Sequence, residues 1–352
     1  MVPLKERASV RELKMGKCDL FVDGRCNACQ HRCRLGQDGK GICGVRHMSD
    51  GKPHCLRNYI SYARLDPIER KPLFHYMPGS KVYSIGSVGC NFRCEFCQNH
   101  AISIDFEDYP LTYAPPAMVV RAARSKGADG IAFTFNEPTV FIEYAKSVAR
   151  LARRKGLYTA FVTNGYLTEE STDYINPYID AYIVGVKKFN NEYYRKVCGA
   201  DLSKLKDSLS YLSKRSEHIE LSYLVMNDDK FFDDFLRFYD RLERDIPLHL
   251  GKFFPEFRSG EKETTTEKLT SYYMAARERG INYVYISDLY GSQYENTYCP
   301  KCGSLIMGRE GSMGEPSISM HCAIYQIVSN KLDDGRCPKC GEKIGIVTKP
   351  RD

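Results

Sequence analysis

Residues 88–100 read VGCNFRCEFCQNH, and three cysteines, Cys90, Cys94 and Cys97, stand in a CxxxCxxC array. Thiolates bind zinc, iron and iron–sulfur clusters, and a structural site normally closes with four ligands. A set that stops at three poses a choice. Either His100 or a distant cysteine completes a structural zinc site, or the array holds a [4Fe–4S] cluster with one iron open to a substrate or cofactor.

Two further cysteine sets flank the array. Near the N-terminus, CNACQHRCRLGQDGKGICG carries Cys26, Cys29, Cys33 and Cys43 in a glycine-rich loop. Four thiolates with a CxxC start suit zinc or a second iron–sulfur cluster, zinc being the plainer choice, and His31 and His47 are substitute ligands. At the C-terminus CPKCG occurs twice and supplies Cys299, Cys302, Cys337 and Cys340. Paired knuckles of this kind read as a zinc ribbon or a rubredoxin-like iron site, with His321 and Cys322 as spare ligands. Cys18 and Cys55 read as free or peripheral. Cys198, in KVCGA, reads as a small buried residue in preference to a thiol near the reacting centre.

The elements that must position the array lie in the middle of the chain. Residues 81–89, 130–135, 158–163, 181–186, 218–225 and 247–253 are short, apolar and rich in β-branched or aromatic side chains, which reads as six strands. Helix-like stretches separate them, and Gly127 and Gly156 stand where two of these helices should stop. Alternating strands and helices imply right-handed βαβ units and a parallel sheet, either a partial barrel or a doubly wound sheet. In both, the site belongs at the C-terminal ends of the strands. The cysteine array, FNEPT, TNGY, VKKF and NDD each follow a strand, so all five polar motifs fall on one rim. Composition divides the chain into a Cys-rich N-terminal subdomain (1–75), the α/β region (76–290) and a zinc-ribbon or rubredoxin-like subdomain (291–352).

With 43% hydrophobic and 27% charged residues, the composition is that of a globular protein. No run approaches the roughly 18 apolar residues of a membrane helix, and the N-terminus lacks a signal-peptide core, so a cytoplasmic location with no membrane partner is expected. The formal charge of +7 is mild and permits an RNA or acidic partner without indicating one. Fifteen cysteines in such a chain read as metal ligands in preference to disulfides.

The array at the end of a first strand resembles that of the radical S-adenosylmethionine (SAM) superfamily. The resemblance implies a partial (βα)6 TIM-type barrel, with the open iron taking the amino and carboxylate groups of SAM. An electron from the cluster then cleaves a carbon–sulfur bond, and the released 5′-deoxyadenosyl radical removes a hydrogen atom from the substrate. It also implies roles for named residues. Phe96, before the third cysteine, would lie against the adenine. Asn136 and Glu137, in FTFNEPT, would contact the SAM amino group, where a carboxylate suits an ammonium. Asn164 corresponds to a polar residue near SAM, and Lys187 and His249 to a lysine and a histidine that approach SAM in glycyl-radical activases. A low-potential reductase or ferredoxin-type protein would supply electrons.

Longer segments resemble the AmmeMemoRadiSam-system radical SAM enzymes, relatives of the pyruvate formate-lyase activating enzymes. They are DPIERKPLFHYMPGS (66–80), SVGCNFRCEFCQNHAIS (87–103), YYRKVCGA (193–200) and ENTYCPKCG (295–303). Two positions depart from the relatives' pattern: Gly185 and Val162 stand where activases carry acids that help to hold a monovalent cation. The implied activity is that of an oxidoreductase-type radical enzyme on an unidentified substrate. Activation of a glycyl-radical partner protein, RNA modification and a non-catalytic zinc scaffold are the alternatives.

Overall fold

The computed structural model describes residues 7–8, 13, 15–242, 245–313 and 323–350. Its centre is an eight-stranded sheet: β1 (Tyr62–Pro67), β2 (Lys81–Gly86), β3 (Gly130–Phe133), β4 (Tyr158–Thr163), β5 (Ala181–Val186), β6 (His218–Val225), β7 (Leu248–Lys252) and β8 (Val284–Ser287). The strands lie in chain order from one edge to the other. β1 is antiparallel to β2, and every later pair is parallel.

Six helices form the crossovers: α1 (Pro116–Ser125), α2 (Ile142–Arg153), α3 (Glu169–Ile175), α4 (Leu202–Arg215), α5 (Phe232–Tyr239) and α6 (Thr266–Glu278). A doubly wound sheet reverses its strand order at a switch point. This one never does, so right-handed crossovers put all six helices on one face and the sheet curls around the other. β1 and β8 are not hydrogen-bonded to each other, which leaves the barrel open. The order of the strands thus makes the choice that periodicity left undecided, in favour of the partial barrel. β2 through β7 are the six expected strands. β1 and β8 extend the sheet at its two edges, and with α6 they are additions to the sequence reading.

Local sequence explains the element ends. Gly127 and Gly156 take φ values of +68° and +73° just past α1 and α2, the left-handed turn that glycine permits at little cost. Thr168 caps α3 through a reciprocal bond with Ser171. Inside the barrel, Val82, Ala132, Tyr158, Ala160, Ala181 and Ile183 pack with Ile68, Leu73 and Tyr76 and fill the lower half. Only the upper half, at the strands' C-terminal ends, is hollow.

The flanking regions share the barrel's packing. Leu20, Cys26, Val45 and Leu56 belong to the same core as Phe133 and Val140. At the other end β9 (Thr297–Tyr298), β10 (Leu305–Met313) and β11 (Ala323–Asn330) form an antiparallel sheet. Its Ile306, Met307 and Tyr325 pack on Phe74, Tyr283 and Tyr285. Arg309 lies 4.3 Å above the Phe74 ring and donates to the Phe74 carbonyl at 2.8 Å. His321 and Cys322, and most of the loop around them, lie outside the described residues. No helix among the described residues is long and apolar enough to cross a membrane.

Candidate active site

The loop after β2 carries Cys90, Cys94 and Cys97 to the top of the barrel, where all three face a cavity of about 450 Å³, within the range of small-molecule sites. None of the three is in a disulfide. The Phe92 backbone N–H donates to the Cys90 sulfur at 3.3 Å. Burial and the charge of Glu137 push the Cys90 thiol up, burial pushes Cys97 up to about 11, and a hydrogen bond with Cys198 joins burial in raising Cys94. Thiols shifted upward in this way become thiolates when they bind a metal cation.

The motif after β3 shapes this loop. Phe135 takes a left-handed φ of +70°, which costs a non-glycine residue energy. The turn brings Asn136 against the loop after β2, where its amide accepts from the Ser87 N–H at 2.9 Å and donates to the Gly89 carbonyl at 2.8 Å. The buried Glu137 carboxylate accepts on one oxygen from the Thr139 N–H, the Thr139 hydroxyl and the Thr163 hydroxyl, at 3.0, 2.5 and 2.7 Å. Its other oxygen accepts from the Asn164 N–H at 2.7 Å. Burial raises the pKa of Glu137, and these bonds oppose the shift. Asn164 continues the chain of contacts, donating its amide to Asn91 at 2.7 Å.

Of the residues singled out in the sequence, Phe96, Asn136, Glu137, Asn164 and Lys187 line the cavity with the three cysteines. Phe96 is steadied by Tyr193, stacked at 6.3 Å, and by the edge of Phe253 at 5.7 Å. The Lys187 ammonium lies 3.3 Å from where a Cβ on Gly185 would stand, so the glycine keeps this wall low. Val162 lines the same wall.

His249 does not line the cavity. It is fully buried one layer below, with Nε2 2.6 Å from Glu220, and stacks on Tyr285 at 5.1 Å. His100 also turns away, stacking on Phe257 at 4.4 Å and facing Asp105 at 3.3 Å. No histidine, and no cysteine besides the three, lines the cavity among the described residues.

Three features escaped the sequence reading. Cys198, read there as a plain core residue, is buried beside Cys94, and its carbonyl accepts from the Arg93 N–H at 2.8 Å. The segment Tyr194–Cys198 is a π-helical turn, a form often found at functional sites, but short polar sequence gives no signal for it. Tyr325 reaches the cavity from the C-terminal sheet, and Asp288 from the end of β8. Both arrive through long-range packing that strand periodicity does not encode.

The flanking cysteine sets are each assembled. Cys299, Cys302, Cys337 and Cys340 have all four sulfurs within 4.8 Å of one another, with Cys299–Cys340 at 3.5 Å and Cys302–Cys337 at 3.6 Å. The two knuckles repeat one turn: Gly303 and Gly341 take φ values near +70° and donate their N–H groups to the carbonyls of Cys299 and Cys337. Cys26, Cys29, Cys33 and Cys43 line a second, small enclosed cavity with His31 and Arg46. His47 lies outside it and stacks on His54 at 5.7 Å. Cys18 and Cys55, expected to be free or peripheral, are both free, and they are buried together against Glu143. That carboxylate is already held by Arg46 at 2.7 and 2.8 Å and by the Asp19 N–H at 3.1 Å.

The donor set of the main cavity fits a [4Fe–4S] cluster and SAM. Three soft sulfur donors line one open cavity that Phe96, Glu137 and Lys187 also line.

Comparison with known proteins gives the following. The family model of the radical SAM superfamily matches residues 84–242. The uncharacterized protein MJ0808 of Methanocaldococcus jannaschii is 32% identical over 333 residues, covering 92% of this chain and 95% of its own length. A second uncharacterized protein of the same organism, MJ0674, is 24% identical over 265 residues, 70% of each chain. Among solved structures, a radical SAM methyltransferase from Sphaerobacter thermophilus aligns with a TM-score of 0.47 at 15% identity, over 65% of this chain and 71% of that one.

Proposed function

The chain belongs to the radical SAM superfamily, and on that premise we propose that it uses a [4Fe–4S] cluster on Cys90, Cys94 and Cys97 to cleave SAM reductively and take a hydrogen atom from a substrate in the adjoining cavity. One observation carries this reading: three free thiols, and no further cysteine or histidine among the described lining residues, open on one cavity together with Glu137, Asn164 and Lys187. When bound, the cluster and SAM supply electron transfer, carbon–sulfur cleavage and a 5′-deoxyadenosyl radical.

The chain's own residues bind and orient. Lys187 offers an ammonium to the SAM carboxylate. Glu137 spends one acceptor site of its second oxygen on Asn164 and keeps the other for the SAM ammonium. Asn136, with both ends of its amide committed, acts by holding the Cys90 loop in place. Phe96 presents its ring to the adenine.

For the four C-terminal cysteines, whose spacing matches one small ion, we propose zinc in preference to a rubredoxin-type iron. Within the superfamily, the segments quoted above favour the AmmeMemoRadiSam-system enzymes. A cytoplasmic setting with a ferredoxin-type donor suits a cluster that needs low-potential electrons.

The test is anaerobic reconstitution with iron and sulfide, followed by dithionite and SAM. The native chain is expected to release 5′-deoxyadenosine, and Cys90→Ala, Cys94→Ala and Cys97→Ala to release none. A fully reconstituted native chain that forms no 5′-deoxyadenosine, beside an active control enzyme, would sink the reading.

A further inference from the structure

The N-terminal cysteines are also a site. We propose that Cys26, Cys29, Cys33 and Cys43 hold a second iron–sulfur cluster, which passes single electrons to the loop of Cys90. The existence of this site is independent of the function proposed above; its role as a relay rests on that function.

Spacing separates this site from zinc. A zinc ion holds sulfur at about 2.3 Å, so four thiolates around it stand about 3.8 Å apart. The C-terminal set has that spacing, at 3.5 and 3.6 Å. The N-terminal four do not all lie within 4.8 Å of one another, although they line one small cavity. The same chain therefore contains one four-sulfur set closed to the size of a single ion and one whose sulfurs stand wider apart.

One of the sulfurs also carries a donor: Arg46, held by Glu143, donates its Nε to Cys26 at 3.2 Å. Such a bond tunes the potential of a cluster.

The two cysteine loops touch. Gly89, the residue before Cys90, has a φ of +83°, and a Cβ there would stand 2.5 Å from the Cys43 carbonyl oxygen. His31 Nε2 lies 2.7 Å from the Asn91 carbonyl oxygen. Arg93 bonds the carbonyls of both Cys90 and Ile42. The segment after β3 faces both sites, with Asn136 and Glu137 on the main cavity and Thr139 and Val140 on the second. A low-potential one-electron donor, ferredoxin-type in the cell or dithionite in the tube, reduces the N-terminal cluster by one electron. That electron then moves to the cluster of the main cavity, and no atom is transferred.

The experiment uses the full chain, purified and reconstituted anaerobically, with iron, sulfide and zinc measured together. The native chain is expected to hold about eight irons, as two cubanes, and one zinc. A Cys90→Ala/Cys94→Ala/Cys97→Ala variant should keep about four irons and, after dithionite, an electron paramagnetic resonance signal that SAM does not alter. A Cys29→Ala/Cys33→Ala variant should keep the other four, with a signal that SAM does alter. Native protein with about four irons and two zincs overturns the second cluster, however the variants fold. Loss of iron from the Cys29→Ala/Cys33→Ala variant alone, with all iron kept by the triple variant, would count against the main site instead. For the relay, reduced protein freed of dithionite is mixed with SAM. The native chain should yield about twice the 5′-deoxyadenosine of the Cys29→Ala/Cys33→Ala variant. Equal yields overturn the relay.

Discussion

Asn136 donates its side-chain amide to the Gly89 carbonyl at 2.8 Å, so the motif at the end of β3 fixes the backbone from which Cys90 projects. The same amide accepts from Ser87, and Asn136 is buried. FNEPT therefore builds the rim itself: its first polar residue holds the neighbouring loop, and its second, Glu137, fixes Thr163 and Asn164 at the end of β4. Three strand ends are locked together by two side chains.

Asn136→Ala should loosen the cysteine loop before it affects anything else. The change leaves the Ser87 N–H and the Gly89 carbonyl without partners, at a cost of roughly 2–4 kcal/mol for the buried pair. Urea denaturation should show a loss of that size. Iron held by Cys90, Cys94 and Cys97 should fall in the same protein, while metal at the C-terminal knuckles stays at the native level. Unchanged stability together with unchanged iron would remove the clamp from the account.

The C-terminal knuckles should matter to the main cavity although none of their sulfurs reaches it. Tyr325 of β11 lines that cavity, and its sheet is tied to Phe74 by Arg309 and to β8 by the packing of Tyr285. Metal binding supplies much of the folding energy of such small modules. Cys337→Ala is expected to lose one zinc per chain, keep its iron, and bind SAM about tenfold more weakly, about 1.4 kcal/mol. Metal analysis and equilibrium dialysis against labelled SAM read both effects. Loss of zinc with unchanged SAM affinity would show that the Tyr325 wall stands without the metal.

Much of this arrangement is legible in the sequence because parallel βα units repeat a local pattern. Each of β2 through β7 is a short apolar run, and each rim motif follows its strand directly. What is not legible comes from distant packing. β1 precedes the cysteine array and falls in the region that composition assigns to the N-terminal subdomain, yet it pairs along its whole length with β2. β8 is only four residues long. His249 alternates correctly to face the barrel interior, but periodicity cannot tell the filled lower layer from the hollow upper one. Arg46 and Glu143, 97 residues apart, form a buried pair that no local rule connects. The cysteine spacings identified three metal-type sets, but the distances between sulfurs, which distinguish one ion from a cluster, exist only in the folded chain.

Acid should destabilise the protein through His75, which sits under the barrel. The residue is fully buried. Its Nδ1 lies 3.0 Å from the Gly345 carbonyl oxygen, which can only accept, so Nδ1 carries the proton and Nε2 accepts from the Tyr285 hydroxyl at 2.6 Å. Burial pushes its pKa down to about 3, against the pull of Glu220. A base depressed in this way contributes stability that is complete above its unfolded value near 6.5 and is lost as pH falls towards 3. The full window is worth of the order of 5 kcal/mol at about 1.4 kcal/mol per unit. Glu220, held below the usual carboxylate range despite its burial by bonds from His218 and His249, loses its contribution only below its unfolded value near 4.5. Glu295, pushed up to about 7 by burial, works in the opposite direction over the upper window, because its stability is lost as pH rises. The comparison is therefore between native protein and His75→Gln, which keeps a donor and an acceptor but cannot take the proton. Urea midpoints between pH 6.5 and 4.5 should fall more steeply for the native chain than for the variant. Parallel slopes would mean that His75 takes up its proton without opening the fold.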